Sequence, residues 1–332
     1  MTGGVGVWVD FADPALRAEI SRGLTEVEEL LRGSLSSSDP FVQEASRHLM
    51  LAGGKRFRPL LVLLAAAVGD VARPEVVPSA VVVELTHLAT LYHDDVMDEA
   101  VVRRGAPSAN TRWDNTVAIL TGDLLFARAS DLLADLGPEA VRLQARTFER
   151  LVTGQIRETV GPAAGDEPIA HYLQVVTEKT GSLIATSARF GALFGGLEPA
   201  VVDALTEYGE LVGIAFQLSD DIIDIASDST QLGKTPGTDL REGIRTLATL
   251  HALAGTDPAE ARLRELLAGE LPEDDAHAEA LALLRRSPAM ERARETLVSY
   301  AERARAALDP VPSGPARDAL AVLCDVVVAR TG

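Results

Sequence analysis

The chain has 332 residues, with 31 Lys plus Arg against 49 Asp plus Glu, a formal charge of −18, and 47% hydrophobic residues. That apolar fraction excludes a disordered chain, and the length is ample for a buried core. The negative charge argues against general binding to nucleic acid, whose phosphates would be repelled. It leaves room for an anionic substrate held by a local cluster of Lys and Arg.

The periodicity is helical from the start. Asp13-Pro14 reads as an N-cap followed by Pro at the first helical position, and Leu16, Ile20, Leu24, Val27 and Leu31 then recur at steps of three and four. Asp39-Pro40 repeats the signal ahead of Phe41, Val42, Ala45 and Leu49, and Glu167-Pro168 and Glu198-Pro199 mark two more starts. Pro59 fits a first helical position too. Short Gly/Pro punctuations fall at Gly53-Gly54, Gly137-Pro138, Gly161-Pro162 and Gly195-Gly196. Alternating strand patterns are nearly absent. The β-branched runs Val81-Val82-Val83 and Val326-Val327-Val328 lie inside long helical patterns and read as helix. Glu273-Asp274-Asp275 reads as a solvated loop or helix end. No linker rich in Ser, Gly or Pro divides the chain, so a single all-α domain over residues 1–332 is expected, a helical bundle around a deep cavity.

The start, MTGGVGVWVD, lacks the basic segment and long apolar core of a signal peptide. The most apolar run, Leu60 to Val68, is too short to span a bilayer. A cytoplasmic protein is expected. The one cysteine, Cys324, forbids an intramolecular disulfide and reads as a small buried apolar residue.

Two segments carry the chemistry. His93-Asp94-Asp95-Val96-Met97-Asp98 and Ser219-Asp220-Asp221-Ile222-Ile223-Asp224 each contain Asp-Asp-x-x-Asp after an apolar helical pattern. On a helix these three carboxylates share one end-face, where like charges repel by roughly 0.2–0.5 kcal/mol per pair. A hard divalent cation relieves that repulsion. An all-carboxylate oxygen set with no thiolate selects Mg²⁺, which keeps waters and is shared with substrate phosphates. One such motif in an acidic chain is commonly a solvated helix face; two, each closing an apolar helix, point to a diphosphate clamped through metal.

Basic residues accompany them. Gly53-Gly54-Lys55-Arg56-Phe57-Arg58-Pro59 could form an anion site at a loop and helix start, although taken alone it reads as a helix C-cap with solvated cations. Arg103-Arg104-Gly105 begins five residues beyond Asp98, and His87 lies about two turns before Asp94 on nearly the same face. Lys179-Thr180 and Lys234-Thr235 supply two more cations.

Together these segments resemble the trans-polyprenyl diphosphate synthases, with Gly122-Asp123, Phe216 to Asp224 and Gly233 to Thr246 extending the match from about Leu49 to Leu250. The resemblance implies the all-α isoprenoid synthase bundle, usually a homodimer. It implies that Asp94, Asp95, Asp98, Asp220, Asp221 and Asp224 bind two or three Mg²⁺ ions, exchangeable for Mn²⁺, bridging to an allylic diphosphate. Arg103, Lys179 and Lys234 contact that diphosphate; Lys55, Arg58, His87 and Arg104 hold the diphosphate of isopentenyl diphosphate; Thr180 and Gln217 lie beside the developing allylic cation. Charge building on the leaving diphosphate is stabilised, the C–O bond ionises, and the double bond of isopentenyl diphosphate attacks. Transient membrane contact would accompany release of a long product. Two positions depart from the family pattern: Ile244 stands where Lys is frequent and Ala248 where Pro is frequent, with Arg245 beside the first.

Product length in such enzymes depends on how far the chain descends beside the first aspartate helix. Thr90 and Ala89, one turn before Asp94, are small, so no aromatic floor is evident and a product of C20 or longer, in the C30–C50 class, is expected. Ala89→Phe should then shorten it. A geranylgeranyl or farnesyl diphosphate synthase is the nearest alternative. A class I terpene cyclase is disfavoured by the second all-Asp motif and by Lys55 and Arg58, a non-catalytic subunit by the two intact triads, and a generic acidic Ca²⁺ or Mg²⁺ binder by the ordered basic motifs.

Overall fold

The computed structural model describes residues 11–227, 236–269, 271 and 273–331. In chain order the helices are α1 (Pro14–Ser34), α2 (Pro40–Leu51), α3 (Phe57–Ala66), α4 (Val76–Met97), α5 (Ala109–Arg112), α6 (Asn115–Leu136), α7 (Pro138–Val160) and α8 (Pro168–Val176). A π turn (Thr177–Gly181) leads into α9 (Ser182–Phe194), followed by α10 (Pro199–Ala226), α11 (Thr238–Arg241), α12 (Leu247–Ala254), α13 (Ala261–Leu267), α14 (Asp274–Arg286), α15 (Pro288–Ala307) and α16 (Pro315–Ala329). The fold is all-α, as expected.

The proline signals work as read: Pro14, Pro40, Pro168 and Pro199 are the first residues of their helices. Asp13 accepts from the Leu16 amide at 2.7 Å, Asp39 from Phe41 at 2.8 Å and Glu167 from Ala170 at 2.6 Å. Each such cap satisfies an otherwise orphaned amide and contributes ~1 kcal/mol. Pro59 differs from expectation. It is the third residue of α3, because Arg56 with φ 50° turns the chain into the helix at Phe57. Pro is still tolerated there, since amides of the first turn need no intrahelical acceptor.

Residue contacts group into two units. The first comprises residues up to 149, 183–209 and 308–322. Within it α4 packs against α1, α3 and α6. Every residue of α3 except Arg58 is buried. Val81, Val82 and Val83 are fully buried in α4, so packing overrides the modest helix propensity of β-branched residues. The described strands are Val102–Arg103 and Ala106–Pro107, a minimal antiparallel hairpin. Its turn is Arg104-Gly105, with φ 53° and 76°, the pair of positive values that a tight two-residue hairpin requires.

The second unit comprises residues 150–182, 210–307 and 323–332. Its α12 packs against α8 and α15. Asp274 and Asp275 occupy the first turn of α14, the helix-end position expected, where carboxylates suit the helix dipole. Cys324 is buried, as expected, and Val326, Val327 and Val328 are helical in α16. Among the described residues, no helix is long and apolar enough to cross a membrane.

Candidate active site

In the first unit, α4 delivers its aspartates at its C-terminal end. Asp98 caps the helix, its amide bonded to the Asp94 carbonyl at 2.8 Å. Carboxylates are disfavoured here by the negative end of the dipole, so this placement costs stability and calls for a cation. The three are graded in exposure: Asp98 exposed, Asp94 half-buried, Asp95 fully buried. Burial pushes the Asp95 carboxyl above its usual pKa against the pull of Arg103, whose Nε donates to Asp95 Oδ1 at 2.5 Å and whose Nη2 lies 3.8 Å from Asp98. The second oxygen, Asp95 Oδ2, is buried without a hydrogen bond.

The half-exposed residues His87, Thr90, Leu91 and Asp94 form one open face of α4 at helical spacing. Ala89 belongs elsewhere. It is fully buried where α6 comes close, and a Cβ on Gly122 would stand 3.1 Å from the Ala89 carbonyl oxygen. Of the two small residues behind Asp94, only Thr90 lies on the face that carries Asp94.

Arg58 and Arg104 stand beside His87 of this face. Burial first, and then the guanidiniums of Arg58, Arg104, Arg56 and Arg103, hold His87 well below its usual pKa, so it is neutral at pH 7. Arg104 sits in the hairpin turn and donates to the Leu49 carbonyl at 3.1 Å and to the Gly53 carbonyl. Its guanidinium is 3.5 Å from His87 Nε2. Lys55 is exposed and Arg58 half-buried.

In the second unit, Asp220, Asp221 and Asp224 occupy the last two turns of α10. Each is held differently. Asp220 Oδ1 accepts from Arg330 at 2.5 Å, and that guanidinium also stacks 4.8 Å from the Phe216 ring centroid. Asp221 is buried and accepts from the Tyr172 hydroxyl and, at 2.8 Å, from Gln217 Nε2. Burial pushes its pKa to about 6, opposed by those two bonds and reinforced by Asp220 and Asp224. Asp224 accepts from the Thr238 and Asp239 amides at 3.3 and 3.2 Å, tying it to the start of α11.

Thr180 Oγ1 donates to Gln217 Oε1 at 3.1 Å, so Thr180, Gln217 and Asp221 form one hydrogen-bonded chain. Lys179 and Thr180 lie in the π turn, a local widening found at functional sites because it re-aims side chains. Lys179 Nζ pairs with Glu158 at 2.5 Å. The turn fits closely over α7 at Gly154, where a Cβ would come 2.7 Å from the Lys179 amide nitrogen. Lys234 lies outside the described residues. Ile244 and Arg245 are exposed, and Ala248 is buried in the first turn of α12, where a Pro is structurally allowed.

Among the described residues, no three His, Cys, Asp or Glu side chains converge closely enough to hold a metal ion. Arg103, Arg330, Tyr172 and the α11 amides instead engage individual carboxylates. The donor set still fits a hard divalent cation: carboxylate oxygens only, unfavourable helix ends, and the orphaned buried Asp95 Oδ2.

Sequence reasoning missed Tyr172, Glu158, Glu84 and Arg330. Glu84 carried a signal, as the sole charged residue between Val76 and His93. The others meet their partners only through tertiary packing.

Comparison with known proteins identifies the family. The polyprenyl synthetase family profile matches residues 39–284. Nonaprenyl diphosphate synthase of Mycobacterium tuberculosis is 51% identical over 98% of this chain and 97% of its own. A dimethylallyltranstransferase of the same organism is 44% identical over 96% and 97%. Among solved structures, geranylgeranyl pyrophosphate synthase from Corynebacterium glutamicum, complexed with calcium and isoprenyl diphosphate, superposes with a TM-score of 0.88 at 48% identity, covering 98% of this chain and all of that one. With two aspartate motifs on helix ends, cations beside the first and an all-α fold throughout, the chain belongs to the polyprenyl synthetase family and is a trans-prenyltransferase.

Proposed function

We propose that this prenyltransferase condenses isopentenyl diphosphate head-to-tail with an allylic diphosphate, in a Mg²⁺-dependent reaction, to give a long-chain product near C30–C50. The observation that carries the reaction is the pairing of two Asp-Asp-x-x-Asp helix ends with the Arg58, His87 and Arg104 cluster in one chain. The names of the relatives, a nonaprenyl diphosphate synthase among them, support the substrate class and the length.

Asp94, Asp95 and Asp98 in the first unit and Asp220, Asp221 and Asp224 in the second would each hold Mg²⁺, two or three ions in all, which supplies a Lewis acid for the leaving diphosphate. A cation at either motif would compete with the Arg103 or Arg330 contact there, and Arg103, Lys179 and Lys234 would be the cations that serve the allylic diphosphate. Neutral His87 donates one ring N–H while adding no charge, and Lys55, Arg58 and Arg104 supply the positive field for the second diphosphate. Thr180 and Gln217 present oxygen dipoles to the allylic cation as the C–O bond ionises. The new C–C bond forms, and the proton is lost to the departed diphosphate, so no Ser-His-Asp triad is needed.

Small Thr90 on the open face of α4 supports the long product. We read residues 1–332 as one domain, acting as a cytoplasmic homodimer. Ile119 and Leu120 on α6, 42% and 61% exposed, are apolar surface that a second copy would cover. Transient membrane contact then serves release of the insoluble chain. Incubation with Mg²⁺, isopentenyl diphosphate and farnesyl or geranylgeranyl diphosphate should yield products of C30 or longer; no elongation of any primer refutes the reaction. Asp94→Asn or Asp220→Asn should lower kcat by the ~3–4 kcal/mol typical of a lost transition-state contact.

A further inference from the structure

Of the three cations in Lys55-Arg56-Phe57-Arg58, the middle basic residue faces inward. The Arg56 side chain is only 4% exposed. Its Nε donates to Glu28 Oε1 on α1, and its Nη1 to Glu84 Oε1 on α4 at 3.0 Å. Nη2 donates to the Met50 carbonyl at 3.2 Å, and Nη1 also reaches the Gly53 carbonyl at 3.4 Å. Glu84 is 2% exposed, a carboxylate set between the buried Val81-Val82-Val83 run and Leu85.

Such a cluster is a poor device for stability. Desolvating an ion pair costs about as much as the pair returns, and apolar residues of equal volume commonly do as well. The backbone it holds is also unusual: Gly53 and Gly54 use glycine's freedom at φ 96° and 146°, and Arg56, with a Cβ, is strained at φ 50°. Conformations of this kind persist only where the surroundings over-determine them. Here the surroundings are two guanidiniums stacked on one loop. A Cβ on Gly54 would come 2.9 Å from Arg104 Cζ and 3.0 Å from Arg56 Nη1, and both arginines donate to the Gly53 carbonyl. Glu84 also acts electrostatically on Arg104 as well as on Arg56, so one carboxylate couples both guanidiniums of the loop.

We propose that Glu84 and Glu28 are positioning residues for the isopentenyl diphosphate site: by clamping Arg56 they fix the strained 53–56 loop, and so set where Lys55 and Arg58 stand relative to His87 and Arg104. This rests on the reading of that cluster as the isopentenyl diphosphate site. Neither carboxylate touches the substrate, so their loss acts on its binding and not on ionisation of the allylic partner.

The test compares Glu84→Gln and Glu28→Gln with the unmodified full-length enzyme, measuring KM for each substrate and kcat, with circular dichroism to confirm folding. Each variant should raise KM for isopentenyl diphosphate five- to twenty-fold, with kcat and the KM of the allylic diphosphate within two-fold. Should Glu84→Gln not fold, Glu28→Gln decides, because that carboxylate is 15% exposed and its neutralisation is tolerable. Folded variants with unchanged KM for isopentenyl diphosphate, or with both KM values and kcat changed together, overturn the clamp. An unmodified enzyme that elongates no primer overturns the site reading as well, and is thereby distinguished from failure of the clamp alone.

Discussion

Replacing Asp221 by Asn should stabilise the metal-free protein at neutral pH. The carboxyl is buried and its pKa rises from 3.8 to about 6. At ~1.36 kcal/mol per unit, that displacement is worth roughly 3 kcal/mol. A folded-state pKa above the unfolded one means that the folded protein binds the proton more tightly. Stability from this group is therefore complete below about pH 4, falls as pH rises through about 6, and stays lost above it. Asn keeps an acceptor for Tyr172 and never ionises, while its NH2 facing Gln217 Nε2 carries a cost that does not vary with pH. The variant-minus-wild-type difference in unfolding free energy should grow by up to ~3 kcal/mol between about pH 4 and about pH 7. Urea titration followed by far-UV circular dichroism, in chelator, measures it, and other titrating groups cancel in the difference. Saturating Mg²⁺ should shrink the gain, because a cation relieves the carboxylate and not the amide. A difference that is constant across pH would show that Asp221 is not strained by burial, and the argument for a cation at that helix end would lose its support.

Two further substitutions separate neighbouring roles. Thr90→Phe should shorten the product while leaving the melting temperature nearly unchanged, since Thr90 lies on the open face of α4. Ala89→Phe should instead destabilise by ~1–3 kcal/mol through overpacking against α6; product chromatography and thermal melts distinguish the two, and the reverse pattern refutes the assignment. Arg330→Gln removes a partly exposed ion pair worth ~0.5–1 kcal/mol. Mn²⁺ binding followed by electron paramagnetic resonance should accordingly tighten two- to five-fold, and unchanged affinity would show that Arg330 does not compete with the cation.

The parts of this fold legible in the sequence are those written in local chemistry. Asp-Pro and Glu-Pro pairs state helix starts because cap and fixed φ act within one turn. The two aspartate motifs state their helix-end position because apolar periodicity leads into them. Pro59 misled by two residues, since the left-handed Arg56 that starts α3 is held from α1 and α4, far away in sequence. Ala89 and Thr90 looked equivalent as small residues; only the approach of α6 at Gly122 separates them. Tyr172 and Arg330 gave no local sign, because their partners lie 49 and 110 residues away.

The π turn at Thr177–Gly181 places a constraint on chain length as well as on composition. It carries one residue more than an α turn, so the helical stretch from Pro168 to Phe194 runs in two registers, offset by about 100°. Tyr172 reaches Asp221 from the first register, and Thr180 reaches Gln217 from within the turn. Deleting one residue between them would leave a continuous, regular helix and swing one of these contacts away from α10. Substitutions away from Tyr172, Lys179 and Thr180 can accumulate along this stretch, whereas insertions and deletions cannot: the surplus residue is itself a functional element through the register it sets.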